Sequence, residues 1–467
     1  MNFVSLVRRR SGLRFLGGFR LFTSSKSVRL QKPKLSETHV AKHDEPAAEV
    51  LPELRTRSLL TSNLWHHRIT DRISQITNNK KTHASVNTTD TNTQSEDRKM
   101  IDSFVQVFLP FRSDPFLIEE YLNPYGRVRF GKVLEDLDAL AGSISYLHCS
   151  GANFTIVTAS VDRIDMLKEI PKDQDISIFG YVTYVGNSSM EITIQMETVP
   201  QDVGITPADM DEQASRYRYT KLPESKRRDL ILAAKFIMVA RDPDTDKAAK
   251  VPQLRLDTDA EREIFANGAL HKTRKQIESQ SALIRKPPSV EEMSFVHDLY
   301  KEYNKYVYSE NTHASVVKPD HIIWMKDTRL QNINLTYPQD RNIHNKIFGG
   351  YLMRLAYELG STSAIIFSRS PLNFLSLDDV TFRRPVEIGA ILDLHAQVVY
   401  TRENKMVVKV VAHVLDAQSG SRELSNEFWL TFEAVSPVPG EKRRVIPRSY
   451  NDCMLCLEGK RRLTVEK

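Results

Sequence analysis

Two adjacent glycines, Gly349 and Gly350, stand where an apolar segment begins in "NIHNKIFGGYLMRLAYELGS" (Asn342–Ser361). Glycine inside a helix costs roughly 1 kcal/mol relative to alanine, so a pair at a helix mouth needs a physical reason. The first turn of a helix carries N–H groups without intrahelical acceptors and a partial positive charge. Glycines there let a developing oxyanion come close to those N–H groups. The same pair also fits a turn ahead of a core helix. On this stretch alone both readings stand.

Other reactive residues point nowhere definite. "CMLC" (Cys453–Cys456) is a CxxC, but a structural zinc site needs two more ligands nearby and a redox pair belongs at a helix start after a strand. No metal site and no cofactor is expected. Cys149, at the end of an apolar helix, reads as a core residue. Three cysteines form no disulfide framework, which suits a reducing compartment. The tail "EKRRVIPR…GKRR" is basic but lacks the aromatic interleaving of a single-strand binder, so no nucleic-acid partner is expected. No run of about 18 apolar residues exists, so stable membrane insertion is not expected either.

The elements that position these residues come next. The 467-residue chain is 40% hydrophobic and 27% charged, values of a globular protein long enough for two or three domains. Residues 1–36 contain no Asp or Glu, but carry Arg8, Arg9, Arg10, Arg14, Arg20 and Arg29 among Ser, Phe and Leu. That is the pattern of a mitochondrial transit peptide, and it places the protein in the mitochondrion, with the matrix as the expected compartment. Residues 37–99 read as an N-terminal extension and polar linker.

Residues 100–242 and 310–437 then repeat one order of elements: a strand, a helix, four strands. The helices are "FGKVLEDLDALAGSISYLH" and "FGGYLMRLAYELGSTSAIIF". A shift of 219 residues carries Asn123 onto Asn342, Gly126 onto Asn345, Gly131 onto Gly350 and Val161 onto Val380. The duplication predicts an α+β fold in which each half wraps an antiparallel sheet around one long helix. Between the halves, residues 243–309 read as a helical connector. Capping boxes at Thr258/Glu261 and Ser289/Glu292 open its two helices. Residues 438–467 read as a basic C-terminal tail.

"NxxNKIFGGYLM" and "VRFGKVLEDLDALAG" resemble the two half-motifs of the acyl-CoA thioesterases of the hotdog fold, in their tandem, double-hotdog members. The resemblance covers roughly residues 100–240 and 310–437. It implies two tandem hotdog domains, hydrolysis of fatty acyl-CoA thioesters and an acyl-CoA substrate. It also implies further assembly into a homo-oligomer. In this family a loop Asn of one half faces a helix acid of the other, and Asn342 and Asp138 match those positions. Tyr357 stands where the shift would place a second acid, so the resemblance implies one competent site and one degenerate site. Glu358, about 100° further around the helix, is discounted.

Within that implied site Asp138 is the general base, or alternatively the nucleophile. Asn342 orients the water or the carbonyl. The backbone N–H of Gly350, with Gly349 beside it, receives the oxyanion. Arg383 and Arg384 are candidate binders of the coenzyme A phosphates, and Arg127, Arg129 and Lys346 flank the helix mouths. Two rival readings are a hotdog hydroxyacyl-thioester dehydratase using His344 and a non-catalytic acyl-CoA sensor.

Overall fold

A computed structural model of the chain describes Thr61 and residues 97–199, 229–311, 318–342, 344–416, 418–435 and 442–464. All of these belong to the unit Leu54–Lys467. The expected transit peptide and nearly all of the expected linker lie outside the described residues.

The first half contains strand β1 (Val105–Leu109), a short helix α1 (Pro115–Tyr121) and the long helix α2 (Phe130–His148). Strands β2 (Thr155–Met166), β3 (Ile176–Val185), β4 (Ser189–Thr198) and β5 (Leu230–Arg241) follow. Helices α3 (Asp259–Ser281) and α4 (Val290–Asn311) come next. The Thr258 hydroxyl accepts from Glu261 N at 3.2 Å while Glu261 Oε2 accepts from Thr258 N at 2.9 Å. Ser289 and Glu292 make the same reciprocal pair. Both connector helices therefore start where their caps satisfy the first N–H groups.

The second half contains β6 (Ile322–Trp324), β7 (Leu330–Leu335), α5 (Gly349–Ser368), β8 (Leu372–Thr381), β9 (Ile391–Arg402), β10 (Lys405–Leu415) and β11 (Arg422–Ala434). The single strand expected ahead of the second helix is two short strands, separated by a 3-10 turn at Met325–Thr328 whose Thr328 hydroxyl folds back onto Met325 O.

The duplication is visible in the pairing. One ten-stranded antiparallel sheet runs β1-β3-β4-β5-β2-β8-β11-β10-β9-β7, so the second half mirrors the first about the β2–β8 seam. Val161 pairs with Val380 at that seam, two positions 219 residues apart. The bridge Leu122–Val128 recurs as Arg341–Ile347 at the same offset. Gly126 and Asn345, also equivalent, both hold positive φ (70° and 57°). Glycine and asparagine tolerate that left-handed turn, which explains the exchange between halves.

Helix α2 packs against β2–β5, helix α5 against β9–β11, and the two helices against each other. Val133, Leu134, Leu137 and Leu140 of α2, and Leu352, Met353, Ala356 and Ala364 of α5, are buried in one core. Cys149 is part of this core, its thiol 3.7 Å from Met190 Sδ.

The segment expected as a basic tail is instead folded. β12 (Arg444–Ile446) pairs in parallel with β6, and α6 (Tyr450–Thr464) packs on β9 and β10. Arg461 grips Glu292 of α4 at 2.7 Å, while Cys456, Leu457 and Leu463 turn inward. The runs of Lys and Arg set the net charge of the segment, and its apolar residues determine the packing. Leu457→Ala is expected to lower the unfolding free energy by about 2–5 kcal/mol in chemical denaturation, because it empties a fully buried position. A loose tail predicts no change.

Candidate active site

Helix α2 presents Asp138 inward, 2% exposed, at its contact with the start of α5. The backbone N–H of Gly350 donates to Asp138 Oδ2 at 2.7 Å, and the Thr158 hydroxyl of β2 donates to Oδ1 at 2.8 Å. The carboxylate thus comes from one half and the helix N-terminus from the other. Both a hydrogen bond and the helix dipole favour a negative charge there.

The contact leaves no room for larger residues. A Cβ on Gly349 would lie 3.0 Å from Asp138 Oδ2 and 3.3 Å from the ring of Phe382, and one on Gly350 would lie 2.8 Å from the Glu135 Cα. Both glycines therefore serve close approach. One expectation is corrected by this geometry. Gly350 N–H was expected to face the thioester oxygen, but it is committed to Asp138. The carboxylate comes close enough to take that unpaired N–H itself.

Asn342 sits in the loop ahead of α5, and this loop lies along α2. His344 Nε2 is 2.9 Å from the Tyr146 hydroxyl of α2, two turns beyond Asp138, while Gly350 reaches Asp138 itself. The Asn342 Oδ1 accepts from His344 N at 2.9 Å and from Lys346 N at 3.1 Å. Those two donors fix the orientation of the amide. Among the described residues, no hydrogen-bond partner accepts from its Nδ2. Asn123 makes the equivalent bonds to Tyr125 N and Arg127 N in the first half.

Arg383 and Arg384 do not converge on Asp138. Both are exposed and bridge to β11, Arg383 to Glu427 at 2.9 Å and Arg384 to Glu423. Glu358 is also tied down, accepting from Arg129 Nε at 2.8 Å. Among the flanking cations, Lys346 pairs with Glu387 and Arg127 with Glu169.

The equivalent place in the other pairing of the halves is filled. Where the first site has Asp138, Thr158 and Gly349, the repeat places Tyr357, Leu377 and Phe130. Tyr357 packs its ring 5.2 Å from Phe130 and 5.3 Å from Phe374, and Phe374 lies 4.5 Å from Phe130. Burial pushes the Tyr357 phenol well above its ordinary pKa, with Glu358 adding to the shift. A stack of aromatic rings has replaced a polar cleft.

Thr158 and Phe382 touch Asp138 and Gly349 in the candidate site and were not singled out from the sequence. Thr158 is one of several polar residues of β2, "TIVTASVDRIDM", and nothing local sets it apart from Thr155 or Ser160. Phe382 follows β8, and nothing local marks it.

Residues 344–420 match the family model of the thioesterase superfamily. Over 370 residues the chain is 36% identical to the mitochondrial acyl-coenzyme A thioesterase 9 of Bos taurus, covering 78% of each chain. It is 36% identical to the Homo sapiens protein of the same description, covering 78% of this chain and 77% of that one. A chloroplastic acyl-coenzyme A thioesterase 2 of Humulus lupulus is 34% identical, over 74% of this chain and 77% of that one. An acyl-CoA hydrolase of Staphylococcus aureus, solved with butyryl coenzyme A, is 25% identical over 31% of this chain and 89% of its own, with a TM-score of 0.29. The chain belongs to the acyl-CoA thioesterase family, in the branch that includes the mitochondrial thioesterases 9.

Gly350→Ala tests the close contact. Alanine is the better helix former by roughly 1 kcal/mol, yet the variant is expected to unfold about 1–3 kcal/mol more easily in a denaturant titration, because its Cβ meets the α2 backbone. A more stable variant would mean that the two helices are not in this contact.

Proposed function

We propose that this protein hydrolyses fatty acyl-CoA thioesters to free fatty acid and coenzyme A in the mitochondrial matrix, at one composite site per chain. The observation that carries the reading is the buried Asp138 carboxylate of one half, held by Gly350 N–H at the helix mouth of the other. Family membership, the relatives named mitochondrial and the acid-free, arginine-rich first 36 residues support it.

Asp138 is the general base. A carboxylate has about four acceptor positions, so bonds to Thr158 and Gly350 are compatible with accepting a water proton as well. The water oxygen attacks the thioester carbonyl carbon, and the carbonyl oxygen becomes an oxyanion. Asn342 Nδ2 and the N–H of Gly349, at the first position of α5, are the donors assigned to it. The tetrahedral intermediate expels the thiolate of coenzyme A, which takes the proton from Asp138, and the fatty acid leaves. Gly350 holds the base, and Gly349 leaves space beside it.

Arg383 and Arg384 follow Phe382, whose ring lies against Gly349. Their exposed ion pairs contribute about 0.2–1 kcal/mol each, so a phosphate of coenzyme A can take the place of a carboxylate. The proposal includes assembly into a homo-oligomer. The edge strand β7 turns Ile333 and Leu335 outward, an apolar edge of the kind that pairs with a neighbour.

The test is thiol release from a panel of short- to long-chain acyl-CoAs. Asp138→Asn is expected to lose turnover by a factor of about 100 or more. Thr158→Val is expected to lower kcat by a smaller factor. Parental turnover in Asp138→Asn would mean that the base lies elsewhere. Tight binding by the parent without thiol release would leave only a sensor.

A further inference from the structure

Two buried charges meet on the axis that relates the halves. Arg354 Nε of α5 donates to Glu135 Oε1 of α2 at 2.9 Å, with side chains 12% and 2% exposed. The two residues are 219 apart, so they occupy the same position in each half. They mark the axis between the helices as Val161 and Val380 mark it in the sheet. Two identical halves would face each such residue with its own copy, Glu against Glu or Arg against Arg. Only two different halves can place a Glu against an Arg there.

The pair does little for net stability. A buried ion pair roughly repays the desolvation of its charges. Among the described residues Glu135 Oε2 is buried without a hydrogen-bond partner, a further cost. Burial pushes the Glu135 carboxyl up to about 7 against the pull of Arg354. What the pair does supply is discrimination, because removing or reversing one partner leaves an uncompensated buried charge.

Its place relative to the site is direct. Glu135 and Asp138 lie one turn apart on the same face of α2, and Gly350 and Arg354 lie one turn apart on α5. Glu135–Arg354 and Asp138–Gly350 are therefore successive links between the same two helices. The Glu135 Cα also forms the wall against which Gly350 sits.

We propose that Glu135 and Arg354 are a positioning pair for thioester hydrolysis. They set α2 against α5 so that Asp138 meets the Gly350 amide, and they disfavour pairing of like halves from two chains. The proposal rests on the reading that Asp138 is the reacting group. It concerns residues to which the proposed mechanism gives no contact with the reacting atoms.

The experiment uses full-length protein in five variants: Arg354→Lys, Glu135→Arg, Arg354→Glu, the exchange E135R/R354E, and Asp138→Asn as reference. Thiol release gives kcat and KM, and thermal melting reports folding. Arg354→Lys keeps the charge but loses the fixed geometry of the guanidinium. It is expected to lower kcat by about tenfold or more at unchanged KM, as misplacement of a reacting group does. The exchange restores opposite charges on the axis and is expected to be at least about tenfold faster than either single reversal. If either single reversal fails to fold, recovery of a folded, active protein by the exchange counts the same way. Parental kcat in Arg354→Lys, or an exchange no better than the single reversals, overturns the proposal while an inactive Asp138→Asn leaves the hydrolysis reading standing. An active Asp138→Asn overturns both.

Discussion

The site depends on one hydrogen bond between the halves, from the Gly350 N–H to the Asp138 carboxylate. A helix N-terminus has donors to spare and a positive end, and a buried carboxylate needs both. Neither half supplies the two groups to itself. The β2–β8 seam brings the halves together as one sheet, and the packing of α2 on α5 brings the carboxylate and the amide to hydrogen-bond distance. Two glycines make this possible by removing the side chains that would hold the helices apart.

Duplication of a symmetric unit creates two equivalent clefts, and this chain has kept polar groups in one. The exchange of Asp, Thr and Gly for Tyr, Leu and Phe is concerted in space. The aspartate position turns aromatic, its hydroxyl support turns aliphatic, and the glycine that cleared space gains a ring that fills it. The loops ahead of both helices still carry their asparagines with the same backbone bonds. In Asn123 that hydrogen-bonding serves the turn. The same bonds in Asn342 hold the amide whose Nδ2 the proposed mechanism assigns to the oxyanion. The asymmetry at Glu135 and Arg354 is the interior counterpart of this divergence, since a tandem chain can place unlike residues where a homodimer must place like ones.

Much of this was legible in the residues. The constant offset of 219, with Val161 on Val380 and Gly126 on Asn345, located both helices, both loops and the axis, because turn chemistry and core periodicity are local signals. Asp138 and Asn342 came from motif resemblance, and both lie in the region where the halves meet. Contacts that depend on the third dimension were not legible. Gly350 faces a carboxylate rather than an open cleft, Arg383 and Arg384 meet glutamates on β11, and Thr158 comes from a strand that no motif marks. Residues 442–464 misled because charge density suggested a tail. Buried Cys456, Leu457 and Leu463, with the Arg461–Glu292 pair, dock the helix.

The claim that one site per chain takes its asparagine from the second half and its acid from the first is tested most directly by two matched substitutions, Asn342→Asp and Asn123→Asp. Each keeps the oxygen that accepts two loop N–H groups, replaces the amide donor with a carboxylate oxygen and adds the same negative charge to both loops. Acyl-CoA hydrolysis is measured for both beside the parent. The account predicts that Asn342→Asp loses kcat by about 100-fold, the scale of one missing oxyanion donor, while Asn123→Asp keeps the parental rate. Equal loss in both, or loss confined to Asn123→Asp, would contradict it.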